Sequence, residues 1–462
     1  MSLEITEDLI ARQPPEAQAI IRLLLARIAE LEARLNKTPQ NSSLPPSTQH
    51  PHAKPQPPKA KSKKRRGGQP GHAKHERPLL PTEECDDVQS LKPAACRRCG
   101  GRLSGTDHQP LRHQVWELPE IKPLVTEYQL HRLECVNCGK STCAELPPGV
   151  PAGQAGPRLV ALAALLMAYF RQSKRRTALF LETILGQPCS PGWTVKLQKQ
   201  ATDALRPARE ELVAALPAQS PLGIDESPNK EGTQKAWLWT FVAARFTVFA
   251  LRLTRAATVL TEHLTDDYGG VVMCDRAKMY WSLGCLQWCW AHLKRDFQAL
   301  VDSDDPQVKR LGHDLMRPTR KLFAGWARYR DGTITRAGMK RLMHPIRVEI
   351  EGLLLRGAFS GNERLMGMCD ELYDHRQWLW TFLEHEGVEL TNNGSERALR
   401  HAVIWRKLSF GTQSASGSRF VETMLTVIET CRQQGRNTFT FVADAVQAHF
   451  AGRPAASLLA GV

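Results

Sequence analysis

The sequence has no long hydrophobic run and no hydrophobic N-terminal leader. Its longest apolar stretch, residues 159–170, is shorter than the eighteen or more residues that a membrane-spanning helix needs. The first eight residues, Met-Ser-Leu-Glu-Ile-Thr-Glu-Asp, are acidic and lack the apolar core of a signal peptide. These absences exclude the transmembrane class and predict a cytoplasmic protein.

Acidic residues are also scarce relative to basic ones. The 462 residues contain 62 Lys and Arg against 47 Asp and Glu, a formal net charge of +15. From Lys54 to Arg77 there are nine basic residues and one acidic residue, Glu76, a net charge of +8. This segment is either a solubilising linker or an arm that binds a polyanion such as nucleic acid. The candidate phosphate contacts in it are Lys63, Lys64, Arg65 and Arg66.

Cysteine is not scarce, but a disulfide framework is not expected, because the sequence predicts a cytoplasmic protein and such frameworks are typical of small secreted domains. Four of the twelve cysteines form two similar turns, Cys96-Arg-Arg-Cys99-Gly and Cys135-Val-Asn-Cys138-Gly. Two Cys-x-x-Cys turns predict a structural Zn²⁺ site with four thiolate ligands and no open position for catalysis. A long hairpin is expected to join the turns, with strands supplied by Val115, Trp116, Leu118, Ile121, Leu124, Val125, Tyr128 and Leu130.

The pattern of apolar residues divides the chain into several domains. Residues 1–38 carry a short leucine-zipper-like seam at Ile21, Leu24, Ile28, Leu31 and Leu35, which either dimerises the chain or packs on its own body. The pattern predicts a basic disordered linker over residues 39–82, a zinc ribbon over residues 83–150 and a helical region over residues 155–216. Within this helical region, Gly186 and Ser190-Pro191 separate two helices, which form either a helix-turn-helix or an ordinary bundle corner.

Beyond residue 220, strand patterns replace helical ones, and the fold class is multi-domain α+β. The predicted order β-β-β-α-β-α-β-α over 220–301 matches an RNase H-like core, completed by residues 390–435. Residues 302–389 are a predicted helical insertion, and 436–462 a C-terminal segment. In that fold the ends of the first and fourth strands are neighbours in the sheet.

Two aspartates fall at those strand ends. Asp225 closes Pro-Leu-Gly-Ile-Asp, Asp275 closes Gly-Gly-Val-Val-Met-Cys-Asp, and Glu396 opens a later helix that Asn392 or Asn393 can cap. Carboxylates in such a group are the ligands that two Mg²⁺ ions need for phosphodiester chemistry. We expect the helix dipole to lower the pKa of Glu396 slightly. Competing carboxylates are Glu226 and Glu231 beside Asp225, and Asp266 and Asp267 before Asp275.

Cys289 and His292, in Cys-Trp-Ala-His, begin the next predicted helix. They could form a nucleophile–base pair or a pair of metal ligands. We favour a structural role, or one supporting the metal ligands, near Asp275.

Taken together, these residues resemble a bacterial transposase of the insertion sequence 66 family. The resemblance extends over nearly the whole chain and is most specific in Thr391-Asn-Asn-Gly-Ser-Glu-Arg397, with Arg406-Lys407 after it. Further matches are Gly67-Gly-Gln-Pro-Gly-His72, Asp225-Glu-Ser227 with Trp237-Leu-Trp239, Asp275 with Tyr280, and Cys289-Trp-Ala-His-Leu-Lys-Arg295. The sequence departs from the family in having Arg276-Ala277 after the second aspartate and Ser227 in place of threonine.

The resemblance implies a DDE enzyme that cuts the inverted ends of its mobile element and joins them to target DNA. Two Mg²⁺ or Mn²⁺ ions, roughly 3.5–4 Å apart, would be held by Asp225, Asp275 and Glu396. Phosphate contacts would come from Arg397, Arg400, Arg406 and Lys407. The implied partners are double-stranded DNA, further copies of the chain and accessory proteins of the same element, in the bacterial cytoplasm at the nucleoid. Alternatives are a zinc-containing DNA-binding regulator without catalysis and a structure-specific RNase H-like nuclease.

Overall fold

A computed structural model describes residues 7–35 and 77–459; of residues 29, 30 and 33–35 it describes the backbone only. Within these ranges the chain divides into two units, one formed by residues 7–35 and 124–459 and the other by residues 77–123. The predicted basic arm, with Lys63, Lys64, Arg65 and Arg66, lies outside the described residues. No helix in the described ranges is both long and apolar enough to cross a bilayer.

The N-terminal residues form two helices, α1 (Glu7–Ala11) and α2 (Pro15–Leu35). The helix predicted over the zipper-like seam is therefore present. Leu24, Ile28 and Leu31 on that seam are exposed. A zipper between copies of the chain stays a prediction.

The segment around the first Cys-x-x-Cys turn has little regular structure. In residues 77–123 the one regular element is a 3₁₀ turn at Thr82–Glu84. The strands predicted from Val115 to Leu130 are wrong, because these residues pair in no β-ladder and their side chains are exposed. Pro119 and Pro123 interrupt the run and remove backbone donors that a central strand needs. The two strands that do form are short, β1 (Arg132–Glu134) and β2 (Ser141–Cys143), and they pair antiparallel around the second turn.

Three helices follow: α3 (Pro157–Ala168), α4 (Lys174–Leu185) and α5 (Pro191–Ala215). The predicted boundary between α4 and α5 is confirmed. Gly186 ends α4 at φ +61°, and the Ser190 hydroxyl caps α5 by accepting from the Trp193 N–H at 3.1 Å. The α5 helix is long and buries one face, which packs on α3 and on later helices.

A five-stranded mixed sheet lies at the centre of the larger unit. Its strands are β3 (Leu222–Glu231), β4 (Gln234–Val242), β5 (Thr247–Arg252), β6 (Val272–Cys274) and β7 (Leu286–Trp288). The order across the sheet is β5-β4-β3-β6-β7, with β3, β4 and β5 antiparallel and β6 and β7 parallel to β3. The α6 helix (Thr258–Leu264) is short and ends at Thr265, which leaves the helix at φ +68°.

The remaining elements are helical. Residues 302–389 contain no strand, in agreement with the helical pattern predicted from the sequence. That this segment is an insertion into an RNase H-like core stays a prediction. The helices are α7 (Trp290–Val301), α8 (Pro306–Arg330), α9 (Arg336–Ala358), α10 (Glu363–Asp374), α11 (Thr381–Glu384), α12 (Asn393–Ser409), α13 (Ala415–Gln434) and α14 (Thr438–Phe450).

The α13 helix covers the free edge of the sheet at β5. The N–H groups of Leu251, Phe249 and Thr247 donate to Glu422, Thr426 and Thr430, at 2.5, 3.0 and 3.2 Å. Four helical residues rise about 6.0 Å and two strand residues about 6.6 Å, so the two spacings match. Buried side chains thus satisfy a strand edge that would otherwise be open to pairing with another chain.

Candidate active site

Asp225 and Asp275 are brought side by side by the pairing of β3 with β6. Gly223 lies opposite Met273 in this parallel pair, so two residues further along each chain reaches its aspartate. Asp275 directly follows β6, as predicted. Asp225 lies inside β3, which continues to Glu231, so the prediction that Asp225 ends its strand is wrong. The strand continues because β4 pairs with it as far as Gln234.

Glu396 reaches the same region from the first turn of α12. The start of this helix is fixed by Asn392, whose side-chain Nδ2 donates to the Ile224 carbonyl at 2.6 Å and whose Oδ1 accepts from Ser395 Oγ at 2.7 Å. Asn392 therefore ties α12 to β3 instead of making a side-chain cap.

The three carboxylates sit in one electrostatic environment. Burial raises the pKa of Asp225 well above its usual value, and the charges of Glu226, Asp275 and Glu396 raise it further. Burial also raises the pKa of Asp275, against the lowering effects of the Ala277 N–H, Arg255 and Arg276. Carboxyl groups that destabilise one another's charges favour a bound cation.

Burial raises the pKa of Glu396 as well, partly offset by Arg295 and Arg400. The prediction of a lowered pKa at this helix start is therefore wrong, because desolvation outweighs the helix dipole. Glu396 Oε1 is buried and has no hydrogen-bond partner. A buried carboxylate oxygen that makes no hydrogen bond fits a metal ligand.

Glu226, which the sequence offered as a competitor of Asp225, has a different role. Its side chain is 2% exposed and accepts from Arg255 Nε at 2.7 Å and from the Tyr280 hydroxyl. Arg255 also lies over the Trp237 ring at 5.0 Å. Glu226 thus joins Arg255 and Tyr280 in one hydrogen-bond network, and burial and the charge of Asp275 raise its pKa. Sequence spacing gave no signal for Arg255, which is distant in the chain.

The other competing acids lie away from this cluster or have other partners. Asp266 and Asp267 are exposed, and Asp267 accepts from the Thr265 hydroxyl at 2.8 Å in the turn after α6. Glu231 accepts from Ser418.

Cys289 and His292 lie beside Glu396. Cys289 is 1% exposed, its Sγ accepts from the Asn392 N–H at 3.2 Å, and burial raises its pKa to about 11. Burial, with Arg295 and Arg276, lowers the pKa of His292 to about 3. At neutral pH the pair is a thiol and a neutral imidazole, which does not suit a thiolate nucleophile.

The predicted phosphate contacts on α12 divide into two groups. Arg397, Arg400 and Lys407 are exposed. Arg406 instead donates to Ser227 Oγ at 3.1 Å and to the Pro228 carbonyl, so its side chain ties α12 to β3.

Arg276, where the sequence departs from the family pattern, pairs with Asp296 at 2.9 Å and with Glu371 at 3.2 Å. It thereby links the Asp275 loop to α7 and α10.

The two Cys-x-x-Cys turns have matching backbone geometry. The Gly100 N–H donates to the Cys96 carbonyl at 2.9 Å, and the Gly139 N–H donates to the Cys135 carbonyl at 2.8 Å. Both glycines have positive φ, +72° and +68°. Backbone N–H groups lower the pKa of Cys96 and of Cys135. Cys96 and Cys99 belong to one unit and Cys135 and Cys138 to the other, and a shared Zn²⁺ stays a prediction.

Comparison with known families decides the relationship. A family model described as "Transposase IS66 family" matches residues 152–419, more than half of the chain. The chain belongs to this family. Residues 6–78 also match a family of unknown function, DUF6444.

Two curated relatives of this IS66-family chain come from Sinorhizobium fredii (strain NBRC 101917 / NGR234). One, the uncharacterized protein y4qI, is 23% identical over 50% of this chain and 47% of its own length. The other, the uncharacterized protein y4jO, is 27% identical over 38% of this chain and 51% of its own length. The chain thus spans about half the length of the curated relatives that it matches.

Proposed function

We propose that this chain is a DNA transposase that cleaves the ends of its mobile element and joins them to target DNA. Asp225, Asp275 and Glu396 would hold two Mg²⁺ or Mn²⁺ ions in a DDE mechanism. The observation that carries the proposal is the convergence of three carboxylates from β3, the end of β6 and α12, where the charges of Asp275 and Glu396 raise the pKa of Asp225 and that of Asp275 raises the pKa of Glu396. Membership of the IS66 family supports transposition as the overall activity.

The sheet supports an RNase H-like core. Its order, β5-β4-β3-β6-β7, makes the first and fourth strands of this core neighbours, which is the arrangement expected for the two aspartates. The helical residues 302–389 explain why Glu396 is so distant in sequence from Asp275.

The residues fit divalent ions because their donors are all carboxylate oxygens and one of these, Glu396 Oε1, is buried and makes no hydrogen bond. Two bound ions would supply activation of the attacking water or 3′-hydroxyl and stabilisation of the leaving oxygen. The protein's own part is to hold the three carboxylates in place. Asn392 positions the start of α12, and Arg255, which Glu226 holds, lowers the pKa of Asp275 and so favours its charged form.

The exposed face of α12 supports contact with double-stranded DNA. Arg397, Arg400 and Lys407 recur at helical spacing on the helix that carries Glu396. Phosphates bound along this face would lie next to the carboxylates. The same proposal includes DNA binding by the basic arm and a structural Zn²⁺. It also includes assembly of several copies of the chain, accessory proteins of the element and a location at the nucleoid.

The test is divalent-dependent cleavage of the element's own end DNA by the purified full chain. Asp225→Asn, Asp275→Asn and Glu396→Gln should each abolish Mg²⁺-dependent cleavage while end binding, measured by gel shift, is kept. Asp267→Asn is the matched control, because Asp267 is exposed on the segment before β6. Undiminished cleavage by Asp275→Asn would remove the assignment.

The same assay separates the two rival functions. A zinc-containing regulator would bind end DNA, and the parent chain would show no divalent-dependent nicking. A structure-specific RNase H-like nuclease would nick DNA but would not join a cleaved 3′ end to target DNA.

A further inference from the structure

Three side chains of different chemistry lie close together at Glu396. Cys289 lies between β7 and α7, His292 in the first turn of α7, and Glu396 in the first turn of α12. The cysteine sulfur, an imidazole nitrogen and a carboxylate oxygen all lie within 4.8 Å of one another. A thiol, an imidazole and a carboxylate are together the donor set of a borderline transition metal such as Zn²⁺.

Two of the converging atoms have no hydrogen-bond partner. His292 Nδ1 and Glu396 Oε1 are both buried, and neither makes a hydrogen bond. They lie 3.7 Å apart, which is beyond hydrogen-bond distance. Nitrogen and oxygen ligands of one tetrahedral Zn²⁺, with bonds of about 2.0–2.1 Å, are separated by roughly 3.3–3.5 Å. The observed separation is therefore close to that of two ligands sharing one ion.

The sulfur is held in place by the chain that follows the insertion. Cys289 Sγ accepts from the Asn392 N–H at 3.2 Å, and the Asn392 side chain is bonded to β3. Hydrogen bonds to a ligand from behind are typical of metal sites, where they fix the ligand's orientation. The position of Cys289 Sγ relative to the other two donors is therefore held by Asn392, which is itself bonded to β3.

Three arginines act on this cluster: Arg276, Arg295 and Arg400. Arg295 Nη2 lies 3.7 Å from the same Glu396 oxygen, with its side chain 22% exposed. Arg276 is engaged by Asp296 and Glu371. A cation would displace Arg295 from Glu396, and a long, partly exposed side chain can move towards solvent.

We propose that Cys289, His292 and Glu396 form a Zn²⁺-class site whose sulfur, nitrogen and oxygen ligands distinguish it from the all-carboxylate site of Asp225 and Asp275. Glu396 belongs to both sites. Zn²⁺ bound by Cys289 and His292 therefore withdraws Glu396 from the Mg²⁺ site and inhibits cleavage. The metal binding stands independently, whereas the inhibition rests on the proposed transposase function.

The binding is tested by counting zinc in the full chain after saturation with Zn²⁺ and gel filtration. His292→Ala and Cys289→Ser should each carry one zinc fewer than the parent. This loss should add to that caused by Cys96→Ser, which reports the predicted four-cysteine site. His344→Ala is the matched control, because His344 is exposed on α9. Equal zinc content in the parent, His292→Ala and Cys289→Ser, all shown to be folded by circular dichroism, would overturn the proposal.

A second measurement reports the ligand directly and guards against misfolded variants. With Co²⁺ in place of Zn²⁺, the near-ultraviolet thiolate-to-cobalt absorption should fall in Cys289→Ser relative to the parent. His292→Gln, which keeps a hydrogen-bonding side chain, should lose the zinc and remain folded by circular dichroism. Retention of the zinc by His292→Gln and unchanged cobalt absorption in Cys289→Ser would assign the cluster a purely structural role.

Inhibition is measured as the Zn²⁺ concentration that halves Mg²⁺-dependent cleavage. This concentration should rise about tenfold or more in Cys289→Ser, equivalent to about 1.4 kcal/mol of lost binding. An unchanged value would overturn the inhibitory role. If the parent cleaves no DNA, the proposed function fails, and the zinc count still decides whether the site exists.

Discussion

Asn392 Nδ2 donates a 2.6 Å hydrogen bond to the carbonyl of Ile224, the residue immediately before Asp225. This bond joins the start of α12 to β3. Gly223, on the same strand, lets the two elements come this close. A Cβ at Gly223 would lie 2.5 Å from Ser395 Oγ and 3.0 Å from Asn392 Oδ1. The position of Glu396 relative to Asp225 is therefore set by direct contact between strand and helix.

Gly223→Ala should displace the start of α12. We expect a loss of about 1–3 kcal/mol in the free energy of unfolding, because a methyl group is forced into a packed contact. Cleavage should fall roughly 10- to 100-fold, because Glu396 moves relative to the aspartates. Thermal melting and single-turnover cleavage measure the two effects.

Gly284→Ala is the control for this variant, since a Cβ there meets no atom within 4 Å and φ is not in the left-handed region. It should leave stability and cleavage nearly unchanged. Parent-like cleavage by Gly223→Ala would show that the strand–helix contact does not position Glu396.

The charge on Asp225 should destabilise the metal-free protein. Its pKa is raised by burial and by neighbouring carboxylates, so its favourable contribution is fully present below the unfolded pKa of about 3.9. That contribution is lost as pH rises through the folded pKa. Asp225→Asn should therefore stabilise the metal-free chain at a pH above the folded pKa, seen as a melting temperature a few degrees higher.

This advantage of Asp225→Asn should shrink as the pH is lowered through the folded pKa of Asp225, where protonation relieves the parent. Added Mg²⁺ should raise the melting temperature of the parent and have little effect on the variant. Asp267→Asn, at an exposed position, should behave as the parent does. A variant less stable than the parent at pH 8 without metal would contradict the electrostatic argument.

Strand positions and helical regions could be predicted from local patterns. Apolar runs ending near Asp225 and Asp275 indicated two strands, and their order indicated that these strands are neighbours, as the β3–β6 pairing confirms. The Gly186 and Ser190 boundary followed from capping chemistry, which depends on a few adjacent residues. Such signals are contained in short segments of the chain.

Contacts between distant segments could not be predicted. Nothing in the sequence pairs Arg255 with Glu226, or Arg406 with the Pro228 carbonyl, because these bonds depend on packing between elements. The pKa of Glu396 was predicted in the wrong direction for the same reason. The helix dipole is local, whereas the burial that outweighs it is created by the whole fold.

The basic arm should determine much of the salt dependence of DNA binding. Replacing Lys63, Lys64, Arg65 and Arg66 together with Gln removes four positive charges. If each contacts a phosphate, the slope of log affinity against log salt should decrease by roughly 3.6, at about 0.9 per contact. Fluorescence anisotropy with end DNA at several salt concentrations measures this slope. An unchanged slope would mean that the arm does not touch phosphates.

The two Cys-x-x-Cys turns should hold one Zn²⁺ between them. The parent, purified without added zinc, should carry about one tightly bound zinc per chain. If both turns bind the same ion, Cys96→Ser and Cys135→Ser should each lose it, and the double variant should lose no more. Cys143→Ser is the control, because Cys143 lies near the second turn, in β2, but outside both motifs. Separate, additive losses would instead indicate two sites, and a parent without zinc would refute the prediction, since a four-thiolate site releases its metal reluctantly.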